Sequence, residues 1–273
     1  MAAAPFVSSA PHSAGAGPEG SLVYRTPEIY DVATGWKLEK ELDFLEELFT
    51  RHAGSVRRLL EPCCGTGRLL RSMAGRGYGV AGYDLSPAMV AFARDRLQPF
   101  GGEVWEGAMD SFVPPGPYDA ALNMVNSIGY CLEDRQVASH LECVGSVIRP
   151  GGVYVVQLSY GGEPPELARF GPWGNREGGI STTLLWEVVR EDAAAKRSYQ
   201  HCRITARRGR ERRVFDESHV LRYWTHEDVN RLIAASPFEL HAIYWDRFEE
   251  FPIEDYRIGD HGNLYHVLRR RGA

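Results

Sequence analysis

Two acidic residues and a loop of small residues between them form the part of this sequence best suited to chemistry. An apolar run ends in Glu61, the loop Cys63-Cys64-Gly65-Thr66-Gly67 follows, and a second apolar run ends in Asp84. Glycines at 65 and 67 let the backbone turn tightly and approach a ligand without a Cβ in the way. A carboxylate that ends the second strand can accept hydrogen bonds from two ribose hydroxyls. The pattern therefore predicts an adenosine cofactor at the top of a parallel sheet.

The residues around this loop discriminate between adenosine cofactors. The dinucleotide fingerprint G-x-G-x-x-G places a pyrophosphate on a helix N-terminus, but Leu70 stands where its third glycine belongs. The acid Glu61 suits a ligand that carries an ammonium and a sulfonium better than it suits a pyrophosphate. The segment resembles motif I of the class I S-adenosylmethionine-dependent methyltransferases, E/D-x-G-x-G-x-G, with Cys63 in place of the first glycine. Asp84 matches the ribose acid of that family.

Further segments carry the same resemblance, which covers about residues 24–160 and 220–270. By resemblance, Asp110 binds the adenine amine and Met109 covers the adenine ring. Met124 would offer its backbone to the methionine amine, and Tyr30 would close on the methionine carboxylate. The resemblance implies S-adenosyl-L-methionine as the cofactor and the following cofactor-binding residues: Tyr30, Glu61, Cys63, Gly65, Thr66, Gly67, Asp84, Leu85, Met109, Asp110 and Met124.

Alternating strands and helices up to Tyr160 predict an α/β fold with a doubly wound parallel sheet. The resemblance implies that this is the seven-stranded Rossmann-like methyltransferase sheet. After Tyr160 come a stretch rich in glycine and proline and then three β-like runs, which predict an antiparallel β insertion capping the active site. The predicted division is a disordered tail (1–20), a cofactor-binding core (21–160), the cap for the acceptor (161–224) and the C-terminal part of the core sheet (225–273).

Composition argues against several classes of protein. A formal net charge of −5 argues against a nucleic-acid partner, and the lack of a run of about 18 apolar residues argues against a membrane span. The N-terminus lacks the basic start and apolar stretch of a secretory signal. Five cysteines without metal-ligand spacing predict reduced thiols, a cytoplasmic location and no metal site. The expected partner is a small-molecule substrate, and a homodimer is left open.

The segment after the fourth strand and the cap supply the candidate acceptor residues. Residues 124–130 look like the M-x-S-S-x-G-Y segment of amino-sugar N-methyltransferases, with Asn126 in place of a serine. Strand alternation places His219 and Tyr223 on one face of the last cap run, where a histidine could act as a base. Ordinary packing is the alternative for His219 and the aromatic residues, and capping of the next loop is the alternative for Asn126. The candidates are His219, Tyr24 and Asn126 for catalysis, and Tyr130, Trp173, Tyr223 and His261 for acceptor binding.

These features favour methyl transfer from S-adenosylmethionine to a small molecule. Nitrogen is the favoured acceptor atom, carbon and oxygen are left open, and the resemblance suggests secondary metabolism. A methyltransferase acting on RNA or protein is one alternative, because five arginines between 207 and 213 form a basic hairpin tip. A dinucleotide-dependent oxidoreductase and a cofactor-binding module without activity are the others.

Overall fold

Helices cover both faces of one large sheet, and a second, smaller sheet is inserted after its fifth strand. The computed structural model describes residues 21–161, 169–245, 250–251 and 262–272. The predicted tail over 1–20 and the acceptor candidate His261 lie outside these residues. Among the described helices, none combines the length and apolar character needed to cross a membrane.

The large sheet is mixed and has the order β11-β10-β12-β5-β4-β1-β2-β3. Its strands are β1 (Arg58–Pro62), β2 (Gly79–Asp84), β3 (Glu103–Glu106), β4 (Tyr118–Asn123), β5 (Ile148–Tyr160), β10 (Phe238–Tyr244), β11 (Glu250–Phe251) and β12 (Gly262–Arg270). Strands β1 to β5 are parallel, and β12 runs antiparallel to both β5 and β10. The predicted doubly wound α/β sheet is confirmed, and the strand beyond the expected seven is the two-residue β11 at the edge.

The helices place their apolar faces on the two sides of this sheet. They are α1 (Pro27–Ala33), α2 (Glu39–His52), α3 (Arg68–Gly75), α4 (Pro87–Leu97), α5 (Asp134–Val147) and α6 (His226–Ala234). Side chains of α2, α3 and α4 cover one face, and those of α5 and α6 cover the other. Strand β4, covered on both sides, is accordingly an almost continuous apolar run. The parallel strands all end at one edge of the sheet, where ligands of such folds bind.

The cap is a four-stranded antiparallel sheet with its strands in chain order. Its strands are β6 (Arg169–Glu177), β7 (Ile180–Asp192), β8 (Arg197–Arg208) and β9 (Glu211–Arg222). The predicted antiparallel insertion is confirmed, but the sequence analysis missed β6, whose glycines and proline disguise it. β6 is an edge strand, and its register shifts between Phe170 and Trp173, around Pro172. Proline has no N–H group to donate, and an edge strand tolerates this because one of its sides needs no donors.

The chain before α2 joins the cap to the core. Apolar side chains of residues 21–33, including Val23 and Ile29, pack against buried residues of β7 and β8. On the core side, Arg96 of α4 pairs with the buried Asp31 of α1 at 3.2 Å. Residues 21–33, which we call the N-terminal segment, therefore lie between the two sheets rather than within the cofactor-binding core to which the sequence assigned them.

A buried ion cluster attaches the cap to α6. Lys196, in the turn between β7 and β8, donates to both oxygens of Asp228 at 2.7 and 2.8 Å. The buried guanidinium of Arg222, at the end of β9, lies 2.6 Å from Asp134 and 3.5 Å from Asp228. Burial raises the pKa of Asp228, but hydrogen bonds led by that of Lys196 outweigh burial and hold this pKa at about 2. The cluster therefore favours the charged carboxylate.

We predict that Asp228→Ala lowers the free energy of unfolding by about 3–5 kcal/mol, because the buried Arg222 loses a counter-charge. Urea unfolding near neutral pH measures this loss. The exposed Asp95 offers a matched control, and Asp95→Ala should change stability by less than about 0.5 kcal/mol. Equal losses in the two variants would show that the cluster does not stabilise the fold.

The low pKa of Asp228 makes the stability of the fold depend on pH. Because the pKa of Asp228 is lower in the folded chain than its ordinary 3.8, its stabilisation is complete above that ordinary value. It is lost as the pH falls towards about 2. The gap in unfolding free energy between wild type and Asp228→Ala should therefore narrow on acidification through this window. A gap that stays constant with pH would mean that packing, rather than charge, accounts for the loss.

Candidate active site

A cavity of about 520 Å³ opens at the carboxyl ends of β1, β2 and β4. This is a typical size for a small-molecule site. The N-terminal segment, the loop after β1, the end of β2, the turn after β3 and the segment after β4 all contribute to its wall. The lining residues are Tyr24, Tyr30, Cys63, Gly65, Asp84, Leu85, Ser86, Met89, Ala108, Met109, Asp110, Ser127, Tyr130, Cys131 and Gln136.

The loop after β1 is left-handed at every second residue. Cys63, Gly65 and Gly67 have φ angles of 57°, 54° and 70°, a region that costs a non-glycine residue roughly 1–2 kcal/mol. This backbone explains the glycine at each of these positions in the motif, and Cys63 adopts it despite its side chain. A Cβ on Gly65 would meet no protein atom, whereas a Cβ on Gly67 would lie 3.1 Å from Ala93 of α4.

The two loop glycines therefore have different tasks. Gly65 lines the cavity and leaves room for a ligand against the backbone. Gly67 does not line it, and instead allows α3 to begin close to α4. The structure thus gives Gly67 a packing role, and its predicted contact with the cofactor stays a prediction. Thr66 between them is buried and also lies outside the cavity wall.

The Asp84 carboxylate is fixed at the end of β2 by two backbone donors. Its Oδ2 accepts from Gly65 N and its Oδ1 accepts from Ser86 N, both at 2.9 Å. Burial raises the pKa of Asp84, and these N–H groups oppose the shift. A carboxylate has further lone pairs, so Asp84 can still accept from a ligand hydroxyl in the cavity that it lines.

Glu61 is a buried acid with an unsatisfied oxygen. Its Oε2 has no hydrogen-bond partner within the part of the chain that the structure describes, and burial raises the pKa of its carboxyl well above the ordinary value, against the lowering effect of Arg68. Buried polar atoms are rarely left without a partner, so this one indicates a donor supplied by a ligand. The ammonium of S-adenosylmethionine has that chemistry. Glu61 is not part of the cavity wall, so it would act on the ammonium through the loop or through a water molecule.

A buried histidine positions the turn that follows β3. His140 of α5 bonds through Nδ1 to the Met109 carbonyl at 2.9 Å and through Nε2 to the Tyr154 hydroxyl at 2.7 Å. Burial lowers the pKa of His140 to about 4, so the ring is neutral, with Nδ1–H as donor and Nε2 as acceptor. Gln136 Nε2 donates to Asp110 Oδ2 at 3.3 Å. Met109 and Asp110, the predicted adenine residues, are thus held at the cavity from behind.

Two tyrosine hydroxyls meet at the opposite side of the cavity. Tyr24 and Tyr130 are 2.8 Å apart at their hydroxyl oxygens, and both line the cavity. Tyr30 also lines it and packs edge-on against Tyr24. Burial raises the pKa of all three phenols, so they are present as hydroxyls. The N-terminal segment and the segment after β4 thereby supply adjacent polar groups.

Asn126 and Met124 hold the segment after β4. Asn126 is buried, and its Oδ1 accepts from Trp224 Nε1 at 3.0 Å and from Ser159 N at 3.2 Å. The Met124 carbonyl accepts from both N and Oγ of Ser127, at 3.2 and 2.9 Å. These contacts give both residues a structural role, and their predicted roles toward the donor and acceptor stay predictions. The Asn126 side chain makes no capping hydrogen bond to the turn that follows it, so the structure does not support the capping alternative.

The predicted cap residues also stand back from the cavity wall. His219 is buried and bonds through Nδ1 to the Tyr130 hydroxyl at 3.0 Å. Trp173 packs edge-on against Trp36, and Tyr223 is buried just beyond the end of β9. Six residues line the cavity without having been predicted as site residues: Ser86, Met89, Ala108, Ser127, Cys131 and Gln136.

Comparison with known proteins agrees with this geometry. Residues 59–152 match a family model described as a methyltransferase domain. A dTDP-3-amino-3,6-dideoxy-alpha-D-glucopyranose N,N-dimethyltransferase from Streptomyces fradiae is 28% identical over 227 residues, which cover 82% of this chain and 88% of the relative. The chain is an S-adenosylmethionine-dependent methyltransferase. The predictions of the enzyme class and of the cofactor are confirmed, and the dinucleotide-dependent alternative is set aside.

Solved structures of similar fold include other methyltransferases. The sugar N-methyltransferase KedS8 from Streptoalloteichus sp ATCC 53650 has a TM-score of 0.70 at 21% identity, covering 99% of this chain and 100% of KedS8. Streptomyces venezuelae DesVI has a TM-score of 0.72 at 19% identity, covering 90% and 98% of the two chains. At these identities the likeness concerns the fold, and it extends over the cap of the methyltransferase as well as its core.

We predict that Asp84→Ala weakens the binding of S-adenosylhomocysteine by the methyltransferase about tenfold or more. Hydrogen bonds to a charged group are worth about 1.5–3 kcal/mol, and the loop also loses its anchor. Isothermal titration calorimetry measures the affinity, and circular dichroism checks the fold. Glu106→Ala, at the exposed end of β3, is the matched control and should bind normally. An unchanged affinity in folded Asp84→Ala would contradict the ribose role.

The glycines give a second, paired prediction. Gly65→Ala and Gly67→Ala both force alanine into a left-handed conformation, so they share that strain. Gly67→Ala should lose more stability in urea, because its Cβ also presses on Ala93. Gly65→Ala should lose more affinity for S-adenosylhomocysteine, because its Cβ points into ligand space. Equal losses of affinity would contradict the division of tasks between the two glycines.

Proposed function

We propose that this methyltransferase transfers methyl groups to the amine of a small molecule, specifically an amino sugar carried on a nucleoside diphosphate. The observation that carries the proposal is the pair of hydroxyls of Tyr24 and Tyr130 in the cavity between the N-terminal segment and the sheet edge. Two named relatives act on such amino sugars. The first of them matches this chain across the cap as well as the cofactor loop, with 82% of this chain covered.

The cofactor residues hold the donor with complementary chemistry. Asp84 would accept from the ribose hydroxyls, the turn at Met109 and Asp110 would hold the adenine, and Glu61 would balance the ammonium. S-adenosylmethionine supplies a methyl group on a positively charged sulfur, so the protein needs no nucleophile of its own. The protein therefore has to position the acceptor, exclude water and keep the acceptor nitrogen neutral.

The acceptor side suits an amine because it offers neutral hydroxyls. With their pKa values raised by burial, Tyr24 and Tyr130 stay protonated, and a hydroxyl can both accept from an N–H group and donate to an oxygen. A fixed positive charge would repel an amine about to become an ammonium, and the lining residues within the described part of the chain include no lysine or arginine. A carbon acceptor gains less from this arrangement, because it offers no polar hydrogen to the tyrosines.

A macromolecular acceptor has less support. Arg207 and its neighbours lie at the tip of the hairpin between β8 and β9, and the cavity is lined by none of them. Part of this charge is internally paired, as in the 2.7 Å contact of Arg213 with Glu211. We therefore favour a small-molecule acceptor over RNA or protein. The cytoplasmic location and the homodimer stay predictions.

We predict that the purified methyltransferase methylates dTDP-3-amino-3,6-dideoxy-alpha-D-glucopyranose, with mass spectrometry showing the gain of one or two methyl groups. The matched control is the same sugar nucleotide with a hydroxyl in place of the amine, and it should remain unmethylated. Bulk RNA provides a second comparison and should acquire no labelled methyl group. Methylation of the hydroxyl compound or of RNA, with the amine untouched, would contradict the proposal.

A further inference from the structure

His219 lies directly behind the two tyrosines, in a connected set of polar groups. The hydroxyl oxygens of Tyr24 and Tyr130 are 2.8 Å apart, and the Tyr130 hydroxyl is 3.0 Å from His219 Nδ1. Among the described residues, the buried His219 Nε2 finds no hydrogen-bond partner, and the carboxylate oxygen Glu217 Oε2 lies 3.8 Å from it. A buried histidine nitrogen without a partner calls for an explanation.

We propose that Tyr24, Tyr130, His219 and Glu217 form a proton relay that removes a proton from the acceptor amine. This inference rests on the proposed function, because it assumes an amine acceptor. In it, Tyr24 touches the acceptor, His219 receives the proton through Tyr130, and Glu217 balances the resulting charge. His219 and Glu217 touch no ligand and are therefore positioning residues.

The relay requires one arrangement of the protons around His219. The centre of its ring lies 4.9 Å from that of Trp186 of β7, on which it stacks, and 5.7 Å from that of Tyr24. The titratable groups facing it are Tyr24, Tyr130 and, on its own strand, Glu217. In the relay, Tyr130 donates to Nδ1, and Nε2 carries the hydrogen on the side of Glu217. The hydroxyls of Tyr24 and Tyr130 then both donate in the direction of His219.

The proton movements balance along this chain. The acceptor ammonium gives a proton to the Tyr24 oxygen as the Tyr24 proton passes to Tyr130 and the Tyr130 proton passes to His219 Nδ1. Both tyrosines end neutral, the acceptor nitrogen regains its lone pair, and His219 becomes an imidazolium beside the Glu217 carboxylate. His219 later releases the proton to solvent. An amine that is methylated twice needs this cycle twice, because each methyl transfer leaves the nitrogen positively charged.

Both ends of the relay depend on the N-terminal segment. Glu217 accepts from Ser21 Oγ at 2.5 Å and from Val23 N at 2.9 Å, and Tyr24 follows in the same segment. The segment therefore orients the carboxylate and supplies the group that meets the acceptor. The base is complete only when this segment is in place, which links proton removal to the closing of the cavity.

Imidazole NMR of the complex with S-adenosylhomocysteine tests the relay without any acceptor. With ¹⁵N-labelled histidine, His219 should show hydrogen on Nε2 and a bare Nδ1. It should titrate below its ordinary 6.5, because burial lowers the pKa of this ring while Glu217 raises it. In Glu217→Gln the same resonance should titrate at still lower pH. A hydrogen on Nδ1, or a titration that Glu217→Gln leaves unmoved, would overturn the relay.

Kinetics with dTDP-3-amino-3,6-dideoxy-alpha-D-glucopyranose supply the second readout. At neutral pH, His219→Gln should lower kcat about a hundredfold or more, within the usual range for a general base. Its rate should recover as the pH rises and the amine loses its proton unaided. Tyr130→Phe should share this profile, and affinity for S-adenosylhomocysteine should be retained in both variants. His241→Gln, an exposed histidine on β10, is the matched control and should keep the wild-type profile.

The two experiments separate the relay from the proposed function. If wild type fails to methylate the amino sugar while NMR shows the expected protonation of His219, the proposed function fails and the geometry of the relay stands. A loss in His219→Gln that is equal at every pH would overturn the relay even where the amino sugar is methylated, because it would show a purely structural effect.

Discussion

The carboxylate of Asp84 is the contact on which the cofactor site depends. One oxygen accepts from the loop after β1, at Gly65, and the other accepts from Ser86 at the start of α4. A single side chain at the end of β2 thus fixes the two backbone turns that border the donor site. The loop needs such an anchor because it is left-handed at residues 63, 65 and 67, and such a backbone persists only where its surroundings hold it.

The acceptor side is built differently, from segments far apart in the chain. The hydroxyl contact between Tyr24 and Tyr130 joins residues that are 106 positions apart. Glu217 of the cap reaches back 194 positions to the backbone of Val23. Closing such long loops costs conformational entropy, which the buried apolar contacts between the N-terminal segment and the cap offset. The pocket is therefore a product of packing between three parts of the chain.

Several polar side chains act from behind the cavity wall. His140 holds the adenine turn, Asn126 ties the segment after β4 to Trp224, and His219 stands behind Tyr130. In each case a buried group makes hydrogen bonds within the protein and supports a segment that borders the cavity. Polar residues that look suited to catalysis in the sequence therefore lie behind the residues of the wall. The wall itself combines tyrosines and small residues with the carboxylates of Asp84 and Asp110.

The sequence by itself determined the sheet, its cofactor loop and the two acids that border it. These features are local, because a left-handed turn selects glycine and the end of a strand places the next side chain at the sheet edge. The roles of the individual loop residues depend instead on contacts with distant parts of the chain. Only the packing of α3 against α4 assigns Gly67 to structure and Gly65 to the cavity.

Only the tertiary structure decided which residues form the acceptor side of the cavity. Strand alternation placed His219 on a face with Tyr223 but could not say what that face meets, and the structure buries both residues. β6 escaped detection because pairing with β7, rather than its own glycine-rich sequence, makes it a strand. Gln136 and His140 lie on α5, whose sequence pattern is that of an ordinary core helix. Their contacts with the turn after β3 become visible only in the folded chain. Contacts between distant segments carry no periodic signal along the chain, so they become visible only once the chain has folded.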